Sequence, residues 1–415
     1  MAEFKCLIHI ISPTHLVAAI CAVKTLHPEE SVKVTVLINH PYLPSETMEE
    51  TVKIINILSN SFAIIDRIVL ITKDDTAKLL KSENLSDVIE KLTKMIGLDY
   101  FDEFYYTVDF VIDIFKYLCL AYPAAQRICF GDVFGNVYEK DYVMGLLSVE
   151  DINRNSILRI KNYLGTIYGK VKSIIYQSVK GDIRSDVGLY EHKLPSGNNF
   201  YIAHKSVLIL PVDQSGNFLN KLELIVCNRQ LFDHILSQFI LNSNLLQEYI
   251  NSLIVKYVTK KIYIILTDNF AEGNFIDFDH EIDMWCSVIR ENIPLGSVVL
   301  IKSHPNEVLP RNDRIIKKLS TDYGVVALDA KYRRYPIELW KKLVMSSEVV
   351  CMSYPMLSLK YIYDIDVINP MTDEFIEKWF PPWTWNSFKN SCRLYSEPFA
   401  RLKYWDGKSI LWSGQ

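Results

Sequence analysis

Two hydrophobic periods alternate along the chain. FKCLIHIIS, residues 4–12, is a mostly apolar, buried-strand run, PTHLVAAICAVKTLH repeats its apolar positions at helical spacing, and SVKVTVLIN returns to a strand. A β-α-β opening of this kind predicts a parallel sheet with helices on its faces. Further strands are predicted at DRIVLIT, residues 66–72, and QRICFG, residues 126–131, with one long helical pattern over 74–97 between them.

A second series begins near residue 260. It reads strand (KKIYIILTD), helix (DFDHEIDMWCSVIRENI), strand (GSVVLIKSH), helix (PIELWKKLVMSS), strand (EVVCMS), helix (PMLSLKYIYD). Two such series predict an α/β chain of two Rossmann-like domains facing a cleft. The stretch 180–255 between them mixes the turn signals LPSGNN and PVDQSGN with a helical run, LFDHILSQFILNSNLLQEYI. No internal repeat or low-complexity segment interrupts either series.

Composition narrows the class. The 415 residues are 49% apolar and 23% charged with a formal net charge of −4, the balance of a soluble globular protein. Nothing in that balance points to nucleic acid. No uninterrupted apolar stretch reaches about 18 residues, so no membrane span is expected, and the N-terminus lacks the basic and cleavage regions of a signal peptide. The eight cysteines are scattered through apolar runs without CxxC or metal-ligand spacing, which predicts reduced, buried thiols in a cytoplasmic protein and no metal site.

Open parallel sheets bind ligands beyond the carboxyl ends of their strands. In the second series those positions are the polar loop Thr267-Asp268-Asn269-Phe270-Ala271-Glu272-Gly273, the turn Ser303-His304-Pro305, and Ser353-Tyr354-Pro355, where Ser353 is expected as a helix N-cap. An imidazole, a hydroxyl and helix-N-terminal amides at one sheet edge would make an anion site. Each has an ordinary structural alternative, since His-Pro often ends a strand and serine caps are common. Glu338, just after Pro336 and Ile337, is either a first-turn acid complementing a helix dipole or an acceptor for ribose hydroxyls.

In the first series the candidates are less decided. Asp132, in FGDVFGN, is a catalytic base, a turn residue or part of a phosphate cradle; its glycines fit neither GxGxxG nor a P-loop, which disfavours the cradle. Ser12, Thr14 and His15 in SPTHLV lie between the first strand and the first helix, where Ser12 or Thr14 is a helix-cap candidate. Arg154, Arg159, Lys161, Lys170, Lys172 and Lys180 have no acid between them, a pattern of a solvated face or of steering toward an anionic or lipid-linked partner with peripheral membrane association. The aromatic stretch EKWFPPWTWNSFKNSCRLY is expected to pack a domain junction.

The ordered run IYIILTDNFAEGNF, EIDMWCSVI, GSVVLIKSHPNE and YPIELWKKLVMSSEVVCMSYPMLSLKYIYD, within residues 262–364, resembles the bacterial sialyltransferases of the two-domain GT-B type, in particular the polysialyltransferases and lipooligosaccharide sialyltransferases of capsule or lipopolysaccharide biosynthesis. SPTHLV and FGDVFG match more loosely. The resemblance implies an N-terminal acceptor domain over 1–225, a donor domain over 226–375, and a C-terminal segment, 376–415, that returns to the first domain. It also implies a CMP-activated sialic acid or related nonulosonate as donor, a glycan hydroxyl as acceptor, and inverting transfer without a metal or other cofactor. By position, Asp132 would be the base and His304 would stabilise the leaving phosphate. Thr267, Asn269, Gly273, Pro305, Pro336, Ile337, Glu338, Ser353 and Tyr354 would line the donor, and Ser12, Thr14, His15 and Asn136 the acceptor or sugar. The family's paired acids stand here as Gly131-Asp132-Val133, and its serine pair as Ser353-Tyr354. Other donors (CMP-Kdo or a UDP-sugar), sugar-nucleotide epimerisation, and a silent glycan-binding protein are the alternatives.

Overall fold

The computed structural model describes residues 4–28, 31–40, 43, 45–82, 84–107, 114–131, 204–209 and 223–389. The chain divides into two compact units, Met1–Cys227 and Asn228–Gln415.

The first unit is built on seven parallel strands: β1 (Phe4–Ile10), β2 (Val32–Asn39), β3 (Ile65–Ile71), β4 (Glu103–Tyr106), β5 (Gln126–Cys129), β6 (Lys205–Leu208) and β7 (Glu223–Val226), in the order β3-β2-β1-β4-β5-β6-β7. Among the described residues all its strand pairs are parallel. Helix α1 (Pro13–Leu26) is buried from Leu16 to Val23, because its three alanines let it sit close to the sheet. Helix α2 spans Ser45–Ser59. The long helix expected over 74–97 is two: α3 (Lys73–Leu80) and α4 (Leu85–Ile96), each with its own cap. Thr72 and Asp75 form a reciprocal capping box, and Asn84 accepts from the Asp87 amide. Polar caps override an unbroken apolar period here. Helix α5 (Ile114–Ala121) completes a core with Phe101, Phe104, Tyr106, Phe115 and Leu118.

In the second unit helices α6 (Arg229–Asn242) and α7 (Asn244–Lys256) precede a five-stranded parallel sheet. Its strands are β8 (Ile262–Leu266), β9 (Val298–Lys302), β10 (Gly324–Ala327), β11 (Glu348–Cys351) and β12 (Val367–Ile368), ordered β10-β9-β8-β11-β12. Its remaining helices are α8 (Phe278–Asn292), α9 (Arg311–Leu319), α10 (Lys341–Met345), α11 (Pro355–Tyr363) and α12 (Asp373–Trp379). The pair α9-β10 is an additional βα step absent from the expected series. Its helix is short and highly polar, and its strand lies at the sheet edge with only partial burial, so neither leaves a strong apolar pattern.

Residues 376–389 pack within this unit: Phe388 meets Phe270, Phe275 and Phe380, and Trp383 stacks on Phe275. The stretch 390–415 lies outside the described residues. Among the described residues no helix is long and apolar enough to cross a membrane.

Candidate functional site at the carboxyl edge of the second sheet

Strand order locates the site before any side chain is considered. From β8 the chain winds outward to β9 and β10, then reverses to β11 and β12, so the topological switch point lies between β8 and β11. Loops after adjacent strands of opposite winding splay apart and leave a crevice there. The residues that follow β8 and β11 are Thr267-Asp268 and Met352-Ser353, and β9 beside β8 is followed by Ser303-His304.

His304 has a defined tautomer. Its Nδ1 accepts from the Asn306 amide at 3.2 Å, so the ring proton resides on Nε2, which is left as a donor. Its own amide donates to Thr267 Oγ1 at 3.3 Å, which ties the turn after β9 to the end of β8. Burial, and then the neighbouring Lys302 charge, push the imidazole down to about 4. At neutral pH His304 is therefore an uncharged hydrogen-bond donor and not a cation.

Lys302, the last residue of β9, is itself buried, donates to the Arg333 carbonyl at 2.7 Å and lies 5.8 Å over the Trp340 ring. Burial lowers its ammonium to about 8, partly offset by Glu338. Glu338 is only 1% exposed, in a 3-10 turn (Ile337–Trp340) that Pro336 opens, and not in the first turn of an α-helix. The Ser358 hydroxyl donates to its Oε1 and the Tyr363 hydroxyl to its carbonyl. Desolvation raises its carboxyl, opposed by Ser358 and Lys302.

Ser353 does not cap a helix. Pro355 takes the first helical position of α11, and Tyr354, already in the α region at φ −50°, ψ −34°, is the N-cap. The Ser353 hydroxyl is thereby released from capping; it lies 3.7 Å from Cys351 Sγ, and it faces Asp268 closely enough to favour that carboxyl's ionised form. The far end of α11 is fixed by Arg229, whose guanidinium donates to the Tyr361 and Ile362 carbonyls at 2.9 and 2.8 Å.

Asp268 was not singled out by the sequence, although it stands at the end of its strand beside Thr267 and Asn269. Its Oδ2 is buried with no hydrogen-bond partner, and desolvation raises the carboxyl to about 7, with Ser353 and Arg311 opposing and Glu281 adding to the rise. The site thus holds a carboxyl group poised near neutrality.

Both loops are held from behind by Arg311, the first residue of α9, which is fully buried among three carboxylates. Its Nη2 lies 2.6 Å from Glu272 Oε2 and 2.9 Å from Glu281 Oε2, and its Nη1 lies 2.8 Å from Glu307 Oε2. Glu272 also accepts from the Val308 and Leu309 amides, Glu281 from Ala271, and Glu307 from Ser303. One guanidinium therefore fixes the loop after β8 to the loop after β9. No local motif announces this cluster, since its acids are contributed by a loop, a helix and a turn.

Other expected donor residues have structural duties of their own. A Cβ on Gly273 would stand 2.6 Å from the Phe275 ring, so packing alone demands glycine there. Pro336 and Ile337 are buried, and Asn269 accepts from the Gly273 amide. Thr267 is also buried, whereas Pro305 and Tyr354 are half-buried.

In the first unit the switch point lies between β1 and β4. Ser12 holds the N-cap position of α1 but its side chain makes no capping bond, and Thr14 follows Pro13 in the first turn. His15 is buried, with Nδ1 accepting from the Ile11 amide at 3.3 Å. Beside it His9 is pushed by burial to about 3, and its Nε2 has no partner. Gly131, after β5, adopts φ +85°, a left-handed turn that glycine permits. Asp132, Asn136 and the basic run from Arg154 to Lys180 lie outside the described residues.

No family model matches the chain, and no curated protein matches its sequence. Solved structures similar to it include two UDP-N-acetylglucosamine 2-epimerases. The one from Rickettsia bellii is 11% identical, with 99% of this chain and 91% of that chain covered and a TM-score of 0.47. The one from Neisseria meningitidis is 8% identical, with 99% and 96% covered and a TM-score of 0.45. A third is the GT-B domain of a sialyltransferase from Photobacterium damselae, 12% identical, with 94% and 97% covered and a TM-score of 0.43. Likeness at this level carries no information on substrate, which has to be read from the side chains.

Proposed function

We propose that the chain is a GT-B glycosyltransferase that moves a sialic acid, or a related nonulosonic acid, from a CMP-activated donor to a hydroxyl of a glycan acceptor. The observation that carries this reading is the pairing of an Nε2–H donor on His304 with the uncapped Ser353 hydroxyl at the edge of one switch point. A ring N–H and a hydroxyl are groups that suit the oxygens of a single phosphate.

In the proposed reaction the acceptor oxygen attacks the anomeric carbon while the bond from that carbon to the phosphate oxygen breaks. The bonding pair leaves with CMP, and the acceptor proton passes to Asp132. His304 stabilises the charge that gathers on the departing phosphate. A preorganised neutral donor does this without a change in its own protonation. Displacement from the opposite face inverts the anomeric configuration. A monophosphate leaving group carries less charge than a diphosphate, so no divalent cation is assigned a step.

Thr267, Asn269, Gly273 and Pro305 would border the sugar and phosphate, Pro336 and Ile337 the cytosine, and Tyr354 the phosphate through its amide. Glu338 meets a ribose only after the 3-10 turn around it shifts, because its carboxylate is buried against Ser358. Ser12, Thr14, His15 and Asn136 would serve the acceptor or sugar.

The test is calorimetric titration of CMP into the wild-type protein and into Ser353→Ala and Asp132→Asn. CMP should bind, more weakly to Ser353→Ala and with unchanged affinity to Asp132→Asn. Binding of UDP in preference to CMP would transfer the site to another class of donor, and binding of neither would favour a silent glycan-binding protein.

A further inference from the structure

The opposite, amino edge of the first sheet carries a second cluster that plays no part in that reaction. In the β1–β4 pairing Cys6 stands directly across from Glu103, so both side chains project from the same face, and Tyr105, two residues on, shares that face. Helix α1 ends at His27, whose Nε2 lies 2.8 Å from Glu103 Oε2. Cys6 Sγ is 3.9 Å from the same oxygen, and the Tyr105 hydroxyl donates to it at 2.5 Å. The sulfur, the imidazole nitrogen and the carboxylate oxygen all lie within 4.8 Å of one another, and all three residues are buried. His27 is further braced by the Phe4 ring, 4.5 Å away between centroids.

We propose that Cys6, His27 and Glu103 bind a zinc ion. The inference is independent of the reaction proposed above. A thiolate, an imidazole and a carboxylate are the donor types that zinc accepts, and a tetrahedral zinc with its usual bond lengths spaces such ligands about 3.3–3.6 Å apart. The present separations differ from that range by no more than small side-chain rotations provide.

Charge favours the ion as well. Zn²⁺ with one thiolate and one carboxylate is a neutral unit, which suits a buried position far better than an isolated anion does. On binding, Cys6 loses its thiol proton to solvent, and so does any proton shared between His27 and Glu103, so metal uptake releases acid. Tyr105 is already placed to hydrogen-bond the ligating carboxylate and hold its orientation. The three ligands are separated by 76 and 97 residues in sequence. Only the parallel pairing of β1 with β4 and the return of α1 bring them together, which is why spacing gave no sign of a metal site.

The experiment uses the full chain stripped with a chelator and dialysed. Wild-type protein titrated with Zn²⁺ against a fluorescent zinc indicator should bind a single equivalent. Co²⁺ in its place should give a thiolate-to-cobalt charge-transfer band and tetrahedral visible bands. Cys6→Ser, His27→Gln and Glu103→Gln, each checked for folding by circular dichroism, should weaken zinc by at least about 100-fold, more than the loss of an outer hydrogen bond costs. Should those variants fail to fold, the cobalt spectrum of the wild type decides alone. Absence of binding, a cobalt spectrum without the thiolate band, or unchanged affinity in folded variants would overturn the assignment.

Discussion

Asp268→Asn isolates the cost of the buried carboxyl at the switch point. Asparagine keeps the shape but cannot ionise. In the folded chain desolvation raises Asp268 from 3.8 to about 7, so the folded state holds its proton more tightly than the unfolded chain does. The sign follows: Asp268 imposes no penalty below pH 3.8, a growing penalty as pH rises from there through about 7, and a constant one above. That rise corresponds to roughly 4 kcal/mol in full, of which about 3 kcal/mol accrues between pH 5 and pH 8. Glu281, Glu307 and Glu338, also raised chiefly by burial, contribute slopes of the same sign, while His304 and Lys302 contribute the opposite. The difference between wild type and variant removes these common terms. Urea unfolding of both proteins from pH 5 to pH 8, followed by the fluorescence of the second unit's tryptophans, should show the wild type losing about 3 kcal/mol relative to Asp268→Asn. Parallel pH dependence in the two proteins would refute the buried, near-neutral carboxyl.

Further outcomes follow from the same geometry. His304→Ala should lower kcat by about 100–1,000-fold, since one preorganised donor to the developing charge is lost; circular dichroism should show an unchanged fold, and a kcat within threefold of wild type would count against the role, roughly the scatter expected for a non-catalytic change. Arg311→Met leaves Glu272, Glu281 and Glu307 buried without their shared cation and should cost about 3–5 kcal/mol in urea unfolding, with Lys at that position recovering only part because it lacks the planar fork. Gly273→Ala forces a methyl against the Phe275 ring and should cost about 1–3 kcal/mol, measured by thermal melting. Turnover should be indifferent to added Mg²⁺ or Mn²⁺, and a steep rise with either would contradict the assignment of no divalent step.

The alternation of strand and helix was legible because parallel strands buried on both faces read as unbroken apolar runs. Helix boundaries were less so. Asn84 splits one apolar period into α3 and α4, and Ser243 caps the break between α6 and α7. The extra α9-β10 step stayed hidden because Arg311–Leu319 is polar and its strand is at the edge. His304 and Ser353 were singled out by their place after strands, which the structure keeps. Lys302 was hidden because a strand-terminal lysine reads as solvent-facing, and its burial depends on Trp340 and the Arg333 carbonyl arriving from elsewhere. Ser353 was assigned the wrong local duty, since the serine before Tyr-Pro lies one residue outside the cap that Pro355 defines. The Arg311 cluster and the Cys6-His27-Glu103 cluster are products of topology, with partners tens of residues apart, and no linear pattern encodes them.

The most direct measurement of the central claim is release of CMP from CMP-sialic acid in the presence of a small panel of galactosyl and sialyl acceptors. CMP should appear together with an equal amount of sialylated product of inverted anomeric configuration, and both should vanish in Asp132→Asn. Absence of CMP release with every acceptor, or release with retention of configuration, would contradict the account.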